Sequence, residues 1–125
     1  MKVPRPWLHA ARLGDIVLFY PALLLVIWGE LSPNEPTVLE GASDKLLHFI
    51  AYFGLSAMAA AAVKSRRWAI VAAVGLIALG GILEIVQGFI GRDMSAYDEL
   101  ANTMGVLVGG FAARTIVEPL RRRLT

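Results

Sequence analysis

The chain has 125 residues, one domain's worth, of which 57% are hydrophobic and 18% charged, against roughly 45–50% and 25% in an ordinary soluble domain. It contains no cysteine, which excludes a disulfide framework, thiolate chemistry and cysteine-bound zinc. The formal charge of +2 does not mark a nucleic-acid surface, because the basic residues come a few per segment, without interleaved aromatics or a binding module.

The apolar excess falls in blocks, the pattern of membrane spans. Residues 1–12 form a basic leader with Lys2, Arg5 and Arg12, expected to be cytoplasmic. An apolar run follows and contains Pro21. No small-x-small cleavage pattern comes after it, so it reads as a retained first span over residues 13–31 rather than a signal peptide. Pro21 lacks an N–H and is expected to kink it. Residues 32–43 carry two prolines, two glutamates, a glycine and no apolar period, and read as a loop. The second span is expected over 44–63, capped by Ser43 or Asp44. Lys64-Ser65-Arg66-Arg67 separates it from a third span over 68–90, which Gly91-Arg92-Asp93 stops. The fourth is expected over 98–117, and residues 119–125 close the chain as a basic cytoplasmic tail.

The predicted architecture is an all-α, four-helix transmembrane bundle formed by one membrane domain, residues 13–118. Ten of the twelve basic residues lie in the leader, the 64–67 turn and the segment from Arg114 onward. Cytoplasmic loops carry the excess of Lys and Arg, so both termini are predicted to be cytoplasmic. Trp7 and Trp68 then fall at the inner interface, and Trp28 and Tyr97 at the outer one.

Helical spacing gathers the polar residues. Asp44, His48 and Tyr52 follow one another at i+4 on the second span. Gly80, Glu84, Gln87 and Gly91 share a face of the third, and Asp98, Asn102, Gly105 and Gly109 a face of the fourth. Each set lies toward the outer end, with Glu84 roughly 12 Å in from Arg92 at 1.5 Å per residue. Each polar side chain has a plain structural use: Asp44 and Asp98 as helix caps, His48, Gln87 and Asn102 as interhelical hydrogen bonders, Tyr52 as packing and Lys45 as an interfacial amine. Glu84 is harder to explain in that way, since an ionisable group at that depth is costly and points to function. Arg92 is its nearest fixed positive charge in sequence. Gly105 and Gly109 form a GxxxG stripe, a packing face within the bundle or between the protomers of a homo-oligomer.

At these residues the chain resembles the VanZ-like family of small integral membrane proteins. The resemblance rests on Asp44-Lys45-x-x-His48-Phe49-x-x-Tyr52, Glu84-x-x-Gln87-x-x-x-x-Arg92 and Asp98-x-x-x-Asn102-x-x-Gly105, and covers roughly residues 40–110. The family's turn before the arginine often carries a proline, where this chain has Phe89-Ile90-Gly91. The resemblance implies a cell-envelope protein of the bacterial inner membrane, in a family whose namesake is associated with low-level teicoplanin resistance.

Three functions are compatible with these residues. The first is an outer-leaflet pocket for a polar or anionic lipid-linked head group, formed by Asp44, Lys45, Tyr52, Gln87, Arg92, Asp98 and Asn102, with a membrane lipid or envelope precursor as partner. The second is an enzyme acting on such a substrate with His48 and Glu84 as its acid–base pair. The third is a structural subunit of a membrane complex. No cofactor is called for, and a metal site of His48, Glu84 and Asp98 lacks any diagnostic spacing.

Overall fold

A computed structural model describes residues 5–32, 44–92 and 94–124. The leader up to residue 4, the loop 33–43 with the expected cap Ser43, and Asp93 of the expected turn lie outside the described residues.

The chain is an all-α bundle of four long helices. Helix α1 spans Arg5–Leu31, α2 Asp44–Ala62 and α3 Arg66–Phe89. Helix α4, Ala96–Ala112, continues through a π-helical turn at Ala113–Val117 into α5, Glu118–Leu124. All four rods are long and apolar enough to cross a membrane, which makes this a multi-pass membrane protein. Exposed apolar side chains such as Leu18, Leu24, Val74, Ile85 and Phe111 cover the outside of the bundle, as a lipid-facing surface requires. Trp7 and Trp68 are exposed toward one end, Trp28 and Tyr97 toward the other, forming two aromatic belts.

Several boundaries differ from the expected ones, for local reasons. Helix α1 starts at Arg5, eight residues before the expected span, so His9 and Arg12 are helical; Pro21 sits inside a continuous helix. Helix α3 is capped by Ser65, whose Oγ accepts the Trp68 N–H at 3.2 Å. It ends at Gly91, whose φ of +86° suits the left-handed position just past a helix; the Arg92 N–H closes the turn on the Gln87 carbonyl at 3.1 Å. Helix α4 starts at Ala96, after Ser95, so Asp98 lies inside the first turn and is not its cap. The last rod runs past Pro119 to Leu124, because the widened π turn before it accommodates a residue without an N–H.

Helix α2 is the hub. Tyr52 and Leu55 pack with Leu76 of α3 and Val106 of α4 to form the main core, flanked by Phe19, Leu23 and Val26 of α1. A second cluster of small residues, Ala60, Ala61, Ala69 and Ala113, closes the end near the termini. The GxxxG stripe of α4 is used here, within the chain. A Cβ on Gly105 would collide with the Phe49 carbonyl oxygen, and one on Gly109 with that of Phe53. Lipid offers no hydrophobic drive for helix association, so this close backbone approach supplies packing that bulkier residues would forbid. Of the two uses expected for the stripe, the structure shows the intrachain one, and its face is not open to a second protomer.

Arginines close the end near the termini. Arg12 is buried; its Nη1 donates to the Ala61 and Val63 carbonyls at 3.2 and 2.8 Å, and its Nη2 to both Glu118 carboxylate oxygens at 2.8 and 3.1 Å. Arg121 donates to the Ala61 carbonyl and pairs with Asp15, both at 2.8 Å. Arg114 reaches the Val63 carbonyl at 3.2 Å. The last turn of α2 leaves carbonyls without helical partners, and these guanidiniums satisfy them.

Gly109→Ala is expected to destabilise the protein by about 1–3 kcal/mol, the cost of overpacking against unyielding backbone. Gly54→Ala, where a Cβ meets nothing within 4 Å, is expected to be neutral or stabilising by up to about 1 kcal/mol. Equilibrium unfolding in mixed micelles measures both.

Candidate functional site

The opposite end gathers the C-terminal ends of α1 and α3 and the N-terminal ends of α2 and α4. His48, on the second turn of α2, is at its centre. Its Nδ1 lies 2.8 Å from Asn102 Oδ1 and 3.4 Å from Glu30 Oε1. Both neighbours are acceptors, and Asn102 is oriented by its own Nδ2–H, which donates to Glu99 Oε2 at 3.4 Å. Nδ1 therefore carries a hydrogen. The other ring nitrogen, Nε2, faces Asp44 Oδ1 and Asp98 Oδ2, each at 3.7 Å.

Around this ring each helix contributes groups that its sequence puts on the inward face. On α2, Tyr52 follows His48 at i+4, is fully buried and donates its hydroxyl to Glu30 Oε2 at 2.9 Å. Lys45 stands outside the buried layer, with half of its side chain exposed, and pairs with Asp98 Oδ1 at 2.8 Å. On α3, Gln87 is buried and donates from Nε2 to the Glu30 carbonyl at 2.8 Å. Just beyond α3, Arg92 Nη1 lies 2.8 Å from both the Gly29 and Glu30 carbonyls. On α4, Glu99 faces α3 over Gly80, where a Cβ would come within 2.8 Å of Glu99 Oε2 and 3.1 Å of Asn102 Nδ2. A glycine is needed there for the two polar groups to approach.

Glu84 is buried beside this network and outside its hydrogen bonds. Both carboxylate oxygens lack a hydrogen-bond partner among the described residues; the Ser95 amide approaches the group without meeting hydrogen-bond geometry. No ion pair within 4 Å joins Glu84 to His48, so the expected acid–base pair is not in direct contact.

A cleft of about 290 Å³ opens between α1 and α2. Leu25, Val26, Leu47 and Ala51 form its apolar wall, and Gly29, Glu30, Asp44, His48, Tyr52 and Arg92 its polar end. Of the residues expected to form one pocket, Asp44, His48, Tyr52 and Arg92 line this cleft. Lys45, Glu84, Gln87, Asp98 and Asn102 do not; most stand behind His48, toward α3 and α4. Arg92, expected to meet a ligand, holds the carbonyls that end α1.

Sequence reasoning missed Glu30, Glu99 and Ser56. Glu30 was assigned to the end of the first span with no role, although a carboxylate closing an apolar run was a visible signal. Glu99, beside Asp98 in the first turn of α4, gave no such signal, because carboxylates are ordinary at a helix start. Ser56 extends the Asp44, His48, Tyr52 series by another i+4 step, and its hydroxyl donates to the Val106 carbonyl at 2.6 Å. No family model, curated protein or solved structure matches the chain.

Tyr52→Phe removes a buried donor from the Glu30 carboxylate and is expected to cost about 1–3 kcal/mol. Tyr97→Phe, at an exposed position, is expected to stay within about 0.5 kcal/mol of the parent. The same unfolding measurement compares them.

Proposed function

We propose that this is a VanZ-like protein of the bacterial plasma membrane that holds the head group of a lipid or lipid-linked envelope precursor in the cleft between α1 and α2. The observation that carries this reading is the cleft's amphipathic lining, with an aliphatic wall beside a cluster of carboxylate, imidazole, phenol and guanidinium. Ligand sites combine such an apolar body with a few convergent polar groups, and a lipid has the matching form. The cleft flanks α1, whose Leu24, Leu25 and Trp28 are exposed, so a ligand enters it sideways from the bilayer.

The polar end favours a particular head group. Glu30 and Asp44 present carboxylate oxygens, while Arg92 and Lys45 are engaged with carbonyls and with Asp98. Hydroxyl, amide or amine groups therefore suit the site better than a bare phosphate, and of a polar or an anionic ligand we favour the polar one.

The cleft opens toward the outer leaflet in this reading. Lys64, Arg66, Arg67, Arg122 and Arg123 are all exposed at the other end of the bundle, and the positive-inside rule makes that end cytoplasmic together with both termini. In cells, a single cysteine replacing Ser95 is expected to react with an impermeant maleimide from outside, and one replacing Ser65 only after permeabilisation. The reverse pattern would contradict the orientation.

Ala51→Trp places a bulky ring on the apolar wall of the cleft. Native mass spectrometry of the purified protein is expected to show retained lipid on the parent and at least fivefold less on this variant (about 1 kcal/mol of binding free energy). Equal retention would contradict the lipid reading.

A further inference from the structure

The space in front of His48 Nε2 has a shape that hydrogen bonding does not explain. The ring is fixed by its other nitrogen, which donates to Asn102 Oδ1 at 2.8 Å, so Nε2 faces two aspartates. Asp44 Oδ1 and Asp98 Oδ2 each stand 3.7 Å away, beyond the usual N–H···O range. One ligand atom from each of Asp44, His48 and Asp98 lies within 4.8 Å of the others. Ligands bound at 2.0–2.2 Å to a common ion are separated by about 3.0–3.6 Å, so small side-chain movements would close this set around an ion. Asp44, with 40% of its side chain exposed, gives an ion a route of entry.

A second observation points the same way. Glu84 is 4% exposed, both its oxygens lack hydrogen-bond partners among the described residues, and Asp98 is among the charged groups near it. Glu30, Asp44, Glu84, Asp98 and Glu99 bring five carboxylates to this end, against the permanent charges of Lys45 and Arg92. Buried charge of one sign requires compensation from the other. Lys45 meets Asp98 at 2.8 Å and Asp44 at 3.9 Å from the half-exposed rim, and Arg92 Nη1 donates to the carbonyls of α1.

We propose that Asp44, His48 and Asp98, backed by Glu84, form a binding site for a divalent transition-metal ion of the zinc or manganese class. Imidazole with carboxylates is a donor set for those ions, whereas magnesium and calcium favour all-oxygen sites. Asn102 supplies the outer-shell acceptor that sets the tautomer of a metal-binding histidine. Lys45 competes with the ion for Asp98. The inference does not depend on the lipid reading, because ion binding and lipid retention are measured separately.

The test is calorimetric titration of Zn²⁺ into the full-length, tag-free protein in detergent after a chelator wash, with Mn²⁺ followed separately by electron paramagnetic resonance. One ion per chain is expected. His48→Ala and Asp98→Asn should abolish binding, and Asn102→Ala should weaken it by about 10–100-fold. His9→Ala should change nothing, which separates this site from adventitious binding at the other histidine. Lys45 is half exposed, so Lys45→Gln is expected to fold, and it should bind Zn²⁺ severalfold more tightly with a larger rise in melting temperature. The absence of stoichiometric binding, binding that survives His48→Ala, or a Lys45→Gln variant that binds no better would overturn the proposal.

Discussion

Glu30 ties the polar end of this bundle together. Its carboxylate accepts from Tyr52 of α2 and stands 3.4 Å from the His48 ring, while its carbonyl accepts from Gln87 of α3 and from Arg92. One residue at the end of α1 thus contacts both neighbouring helices through its side chain and its backbone. A carboxylate buried in such a place would be costly alone; supplied with a phenol and an imidazole, it holds the helix that needs it most. The apolar residues of α1 are largely exposed, among them Leu13, Val17, Leu18, Leu24 and Leu25, so packing alone holds it loosely. It is held by polar contacts at its two ends, Glu30 at one and Arg12 at the other.

The remaining helices are joined differently. Helix α4 meets α2 along Gly105 and Gly109 at backbone distance, and the buried core of Tyr52, Leu55, Leu76 and Val106 fills the space beside α3. The bundle therefore combines a tightly packed α2–α4 pair with a first helix held at its ends, and the cleft lies where the tight packing stops. This division is compatible with the proposed entry of an amphiphile from the bilayer, which would leave the core intact. It also explains why the cleft has an apolar wall and a polar end: the wall is the loosely packed stretch of α1 facing α2, and the end is the network that anchors it.

Much of this was legible in the sequence. Four apolar blocks of sufficient length reveal the helices, and the i+4 series of Asp44, His48 and Tyr52, and of Asp98 and Asn102, reveal faces that the structure does bring together. The glycine stripe was legible as a packing face, though not its partner, because spacing within one helix does not say which helix lies against it. The same limit hid Glu30. Its importance comes from Gln87 and Arg92, some sixty residues away, reaching for the last carbonyls of α1. Arg92 looked like a ligand-binding cation because nothing in its own neighbourhood revealed those carbonyls. At the other end, Arg12 and Glu118 resembled ordinary flanking charges, since the chain gave no sign that the last helix continues beyond Pro119 and turns Glu118 inward. Local periodicity identifies helices and their faces; the pairing of faces depends on packing between distant segments.

The central claim is that His48 joins α2 to α4 and to the end of α1 within one buried polar network. The chain has two histidines, so selective ¹⁵N labelling of the imidazoles gives few signals to assign. Solid-state NMR in lipid bilayers, correlating ring nitrogens with side-chain carbonyl carbons, is the most direct measurement. The expected result is a protonated Nδ1 on His48 with cross-peaks to the Asn102 side-chain carbonyl and the Glu30 carboxyl. A His48 ring that is clearly visible and shows neither contact, or carries its only proton on Nε2, would contradict the account.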